Sequence, residues 1–274
     1  MGSSSRRDVL RAAAVGGVGL GLAALGTSGI AQATTQAATQ AGTPSEAQGE
    51  RPPHEQGGAR GPKIGILLYE GFSVLDPTGP AEVLSRLPNA TVTMIAERPG
   101  LVRSDTGDVA LFADRPIAAV RDLDVLLVPG GSEKAVLRVF DNARLMDWIR
   151  RTHERTKWTT SVCTGSMILG KAGLLKGLRA TTYWAGKEYL ESLGATYVKA
   201  RYVRDGKIIT SAGVSAGQDM ALYLASQLAD DRTAQAIQLG IEYDPHPPFD
   251  TGSPDKADPE LRALALKLLA DSQV

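Results

Sequence analysis

The chain has 274 residues, 30 Lys and Arg against 30 Asp and Glu, and one cysteine. That length suits one large domain or two small ones, and 43% hydrophobic residues can fill a sizeable core. Balanced charge without a basic run argues against a surface for nucleic acid, and one cysteine excludes an internal disulfide.

The amino terminus reads as a targeting segment rather than as structure. Arg6-Arg7 followed by apolar residues is a twin-arginine export pattern. A charge-free, Gly- and Ala-rich stretch covers residues 12–30, and Ala31-Gln32-Ala33 offers small residues for cleavage. The high glycine content favours a cleaved signal over a retained membrane anchor. Residues 1–33 are therefore expected to direct export, to the periplasm or the outside of the cell. They hold three basic residues and one acidic one, so the remainder carries a formal charge of −2. Residues 34–62, rich in Ala, Gln, Thr, Gly and Pro, are expected to form a disordered linker, leaving a folded domain at 63–274.

Within that domain, residues 63–69 form an apolar run suited to a buried strand, and a helix is expected to open near Pro77. Residues 90–96 give a second strand, and 102–113 a hairpin around Gly107-Asp108. Residues 124–128 are a buried strand stopped by Pro129-Gly130-Gly131, and 142–154 are helical. Residues 158–162 deliver Cys163, followed by a helix that stops at Gly173. A short strand over 180–183, a helix over 187–193 and a hairpin over 202–211 around Asp205-Gly206 come next. Ser215 with Gln218 reads as a capping box for a helix through Leu228, and helices follow at 233–239 and 258–271. Buried strands alternating with helices predict an α/β fold: a doubly wound, mainly parallel, flavodoxin-like sheet with helices on both faces. Sites in such sheets lie at the carboxyl ends of the strands.

The informative motif is Ser161-Val162-Cys163-Thr164-Gly165-Ser166. A reactive side chain between a buried strand and a helix has the geometry of a nucleophile elbow. The helix start aims free N–H groups at the sulfur, which is expected to lower the thiol pKa into the range of ~3.5–7.5. After Pro129, Gly130 and Gly131 permit close backbone approach, and the Gly131 N–H paired with that of Thr164 is a candidate anion pocket. Asp76, in Leu75-Asp76-Pro77, reads equally as a helix N-cap or as a carboxyl facing the sulfur. His54, His153 and His246 neither follow the cysteine nor share a metal-ligand spacing, which argues against a Cys-His hydrolase and against zinc.

Taken together, these residues resemble the ThiJ/PfpI group of the class I glutamine-amidotransferase-like superfamily. Its markers here are residues 75–80, Val128-Pro129-Gly130-Gly131, the Cys163 motif, residues 179–185, and Glu242-Tyr243 with Pro247-Pro248-Phe249. Asp76, Thr164 and the late Pro-Pro-Phe point to the branch that hydrates isonitriles. The resemblance implies a homodimer without cofactor that converts a small isonitrile to an N-substituted formamide. It implies Cys163 as nucleophile, Asp76 as acid and base, Thr164 as a positioning hydroxyl, and Gly130, Gly131 and Tyr183 around the substrate. Tyr183 departs from the pattern, since relatives often carry His there. Two alternatives stay open: another cysteine-dependent hydrolase on this scaffold, or an exported thiol sensor without turnover.

Overall fold

The computed structural model describes residues 60–274. The expected export signal and all but the last three residues of the expected linker lie outside the described residues. Pro62 already belongs to the folded unit, because its carbonyl accepts from the Thr91 N–H at 3.0 Å.

The strands in chain order are β1 (Lys63–Leu67), β2 (Thr91–Ala96), β3 (Gly100–Arg103), β4 (Ala110–Ala113), β5 (Arg115–Pro116), β6 (Val125–Val128), β7 (Trp158–Ser161), β8 (Arg179–Ala180), β9 (Thr196–Tyr197), β10 (Tyr202–Asp205) and β11 (Ile208–Ser211). The helices are α1 (Leu75–Leu84), α2 (Glu133–Asp141), α3 (Ala143–Arg155), α4 (Gly165–Lys171), α5 (Lys187–Ser192), α6 (Ala216–Leu228), α7 (Asp231–Gly240) and α8 (Pro259–Ser272). The central sheet has seven strands in the order β10-β11-β7-β6-β1-β2-β5. Its β10–β11 pair is antiparallel, and its other pairings are parallel.

Alternation along the strands explains why helices cover both faces. Val125 and Leu127 of β6 join Ile64, Ile66 and Ile209 in a core that packs on Val83, Leu84, Met220, Leu224 and Ile237, from α1, α6 and α7. Leu126 and Val128 point the other way, into a second core with Val136, Ile149 and Ile168 from α2, α3 and α4. Each fully buried Leu or Ile contributes about 1.5–3 kcal/mol. β6, buried at all four positions, is the shared spine of both layers. The doubly wound sheet with helices on both faces is thus the observed fold.

Several local expectations change. Helix α2 has no counterpart in the sequence reading; Ser132 caps it, its hydroxyl accepting from the Ala135 N–H. Asn142 is the cap of α3 rather than its first residue, accepting from the Leu145 N–H. The expected strand over 180–183 shrinks to β8, because side chains take over the ladder's bonds. The Thr181 N–H donates to Thr210 Oγ1 and the Thr182 hydroxyl to the Cys163 carbonyl. Ser215 makes no side-chain cap on α6, since its hydroxyl is turned to accept from Arg201 Nη1. Asp76 is not a cap either: Val74 holds the cap position of α1, and Asp76 lies inside the first turn.

Gly165 leaves no room for a side chain. A Cβ there would sit 2.2 Å from the Val128 carbonyl oxygen and 2.8 Å from the Pro129 carbonyl carbon, both backbone atoms that cannot swing away. Gly165→Ala is expected to cost about 1–3 kcal/mol in chemical denaturation, as overpacking does. Wild-type stability in that variant would contradict this packing.

Candidate active site

Three segments meet at the carboxyl ends of β1, β6 and β7: the β1–α1 turn, the Pro129-Gly130-Gly131 turn and the Cys163 turn. β7 and α4 join too tightly for an ordinary bend, and Cys163 adopts a φ of 56°, left-handed backbone that costs a non-glycine residue about 1–3 kcal/mol. The strain is held by hydrogen bonds. The Cys163 N–H is shared between the Ser211 and Ala212 carbonyls at 3.2 and 3.0 Å, and its own carbonyl accepts from the Ser166 and Thr182 hydroxyls. The result is a sulfur-bearing side chain fixed at the sheet edge with 6% of its surface exposed.

Gly130 explains how closely the other groups approach. The position a Cβ would take on it lies 2.6 Å from Thr164 Oγ1, 2.7 Å from Thr164 N and 2.8 Å from Asp76 Oδ2. With no side chain in the way, the Gly130 N–H donates to Asp76 Oδ2 at 2.7 Å. The next amide, of Gly131, donates to Thr164 Oγ1 at 3.0 Å. The expected anion pocket made of the Gly131 and Thr164 amides therefore does not form, because Gly131's donor is spent on the Thr164 side chain. The Thr164 hydroxyl in turn donates to the Gly131 carbonyl at 3.2 Å, and the groups that favour an ionised sulfur are the amides of Val214 and Thr164 and the Thr164 side chain. Val214, with a φ of 29°, comes from the β11–α6 turn and was not singled out by the sequence.

The electrostatics follow from burial. Asp76 is fully buried, and desolvation pushes its carboxyl from 3.8 up to about 7. The Gly130 N–H opposes that shift and the charge of Asp105 adds to it. Its second oxygen, Oδ1, is buried with no partner among the described residues. The Cys163 thiol is likewise pushed far above the ordinary thiol range, first by burial and then by the charge of Asp76, against the opposing amides of Val214 and Thr164. The expectation of a thiol acidified by its helix is thus reversed. Helix α4 spans only seven residues, and its dipole does not repay the loss of water around a buried anion.

Tyr183 is half-buried, its ring 5.3 Å from that of Trp184. Burial and the neighbouring Cys163 push its phenol up to about 12. Tyr69 is a further neighbour that the sequence reading missed; it lies just past the end of β1 and donates its hydroxyl to the Pro129 carbonyl. No described histidine serves the sulfur. His153 hydrogen-bonds Thr159 at the opposite end of β7, and His246 is exposed; His54 lies outside the described residues. Among the described residues no cluster suited to a metal ion forms.

The chain as a whole is similar to known proteins. The chain is 44% identical over 214 residues to isonitrile hydratase of Pseudomonas putida, covering 77% of this chain and 91% of that one. It is 33% identical over 90 residues to a deglycase of Pyrococcus abyssi, covering 33% of this chain and 53% of the deglycase. A solved ThiJ/PfpI family protein from Pseudomonas syringae superposes with a TM-score of 0.73 at 38% identity, covering 77% of this chain and 87% of that one. The profile of the DJ-1/PfpI family matches residues 62–227. The chain belongs to the DJ-1/PfpI family.

Proposed function

We propose that the protein hydrates a small isonitrile to an N-substituted formamide through a covalent thioimidate on Cys163. The observation that carries this reading is the unpartnered Oδ1 of Asp76, on an acid that burial keeps protonated up to about pH 7, held next to the cysteine turn. An isonitrile carbon needs both a proton and a nucleophile at the same atom. A neutral acid beside a neutral thiol offers both. The similarity to isonitrile hydratase supports the same substrate class.

The acid proton on Asp76 passes to the isonitrile carbon as Sγ of Cys163 bonds to that carbon, and the thiol proton returns to the carboxylate. The product of this stage is a thioimidate, R–N=CH–S. Asp76 then protonates the nitrogen while water adds to the carbon and yields a proton to the carboxylate. The tetrahedral adduct collapses: its C–S bond breaks, the hydroxyl proton passes to sulfur, and the formamide leaves. Thr164 Oγ1, anchored by Gly131, positions the water. Gly130 and Gly131 act through their amides, which hold Asp76 and Thr164. Tyr183, half-buried and electrostatically coupled to Cys163, is the residue proposed to limit which N-substituents fit.

Purified protein incubated with cyclohexyl isonitrile is expected to release the formamide. Cys163→Ala should abolish turnover, and Asp76→Asn should lower kcat by about 100-fold or more, the usual scale of a general acid. Formamide release at the wild-type rate by either variant would contradict the mechanism.

The acid has a second, measurable consequence. The working form of Asp76 is protonated, so kcat should be level at low pH and fall as pH rises through about 7. Stability should carry the same signature. The folded carboxyl titrates at about 7 against 3.8 for an ordinary one, so the folded state holds the extra proton between those values. Its contribution is full below the lower value and is lost as pH rises through the upper one. Relative to Asp76→Asn, the wild type should lose on the order of 4 kcal/mol across that window. Parallel stability profiles for the two proteins would contradict the burial argument.

A further inference from the structure

The β3–β4 turn carries a second carboxylate into the site. Asp105 sits there, and its side chain has two partners, both donors. The Ser73 hydroxyl donates to Oδ2 at 2.8 Å, and the Thr106 N–H donates to Oδ1 at 3.0 Å. No cation pairs with it among the described residues; Arg103, nearby in the chain, donates its Nη1 to the Gly107 carbonyl instead. The backbone of Asp105 is fixed from both sides. Its N–H donates to the Phe72 carbonyl at 2.9 Å, and its carbonyl accepts from the Val274 N–H at 2.9 Å.

Two residues, Ser73 and Gly130, connect this carboxylate to the acid. Ser73 links Asp105, through its hydroxyl, to the Gly130 carbonyl, through its own N–H at 3.0 Å. The Gly130 N–H in turn holds Asp76 Oδ2 at 2.7 Å. Ser73 lies in the same short turn that opens α1, so the clamp on Asp105 and the helix that carries Asp76 are one piece of structure.

We infer that Asp105 is a positioning residue: a fixed negative charge, clamped by Ser73 behind Asp76, that keeps the acid's proton in place through neutrality. This deepens the acid role proposed above and rests on it. The titratable groups facing Asp76 are Tyr69, Cys163 and Asp105. Tyr69 and Cys163 are neutral across the working range, because burial pushes both upward. Asp105 is therefore the neighbouring charge left to act, and it works against the Gly130 N–H, which favours the ionised acid. Two carboxylates in one site with different environments divide the work: one carries the proton and the other keeps it there.

The test reads the proton itself. The full chain, labelled with carboxyl-13C aspartate, is titrated by NMR, and the Asp76 signal is assigned by its loss in Asp76→Asn. Asp105→Asn keeps the shape and the Ser73 bond but removes the charge, and should lower the Asp76 midpoint by about half a unit to one unit. Ser73→Ala releases the carboxylate and should move the midpoint the same way, while Ser73→Thr restores it. If Asp105→Asn does not fold, the serine pair decides. A midpoint that stays put, or rises, in the folded variants overturns the inference. The titration needs no substrate, so a protein that makes no formamide and yet shows the shift keeps this tuning while the isonitrile reading fails.

Discussion

The Gly130 N–H and the Asp76 carboxyl meet at 2.7 Å in a place closed to solvent, and the geometry of the site depends on that contact. It joins the end of β6 to the first turn of α1. It requires the absence of a side chain at Gly130, whose Cβ would collide with both Asp76 and Thr164. The neighbouring amide fixes Thr164 in the same way. Two consecutive glycine donors thus place an acid and a hydroxyl beside a cysteine from a third segment. Burying the acid costs the carboxylate form on the order of 4 kcal/mol. That cost is offset by the two packed cores on either side of β6, and it makes a group of ordinary acidity into one that still holds its proton near neutrality.

The same burial decides the state of the sulfur. A cysteine at a helix start suggests a thiolate, but here desolvation by itself outweighs the amides of Val214 and Thr164, and the charge Asp76 gains on ionising only adds to it. The free site therefore rests with both protons on, one on the acid and one on the thiol. For a substrate that must receive a proton and a nucleophile at one carbon, that resting state is useful rather than inert. The strained backbone of Cys163 contributes by fixing the direction of the sulfur before any ligand arrives, so less ordering is left to the reaction itself.

Much of this was legible in the chain. Continuous apolar runs such as Val125–Val128 announce strands buried on both faces, and the glycines at 130, 131 and 165 mark where backbones crowd. The convergence of Asp76, Thr164 and Cys163 could be anticipated because strand ends in a parallel sheet gather at one edge. What escaped were features set by tertiary contact. Val214 favours the ionised sulfur from a turn with no motif of its own, and Asp105 acts on Asp76 from a hairpin that reads as surface. Ser215 looks like a cap and is turned aside by Arg201. The direction of the thiol shift escaped for a related reason: a helix dipole can be read from local sequence, whereas the depth of burial cannot.

The central claim is that the resting site holds a neutral thiol beside a protonated acid. Ultraviolet absorbance of the thiolate, measured across pH in the wild type and subtracted against Cys163→Ser, tests it most directly. The account predicts no thiolate band at pH 7 and its appearance only well above the ordinary thiol range. A full thiolate band at neutral pH would contradict it.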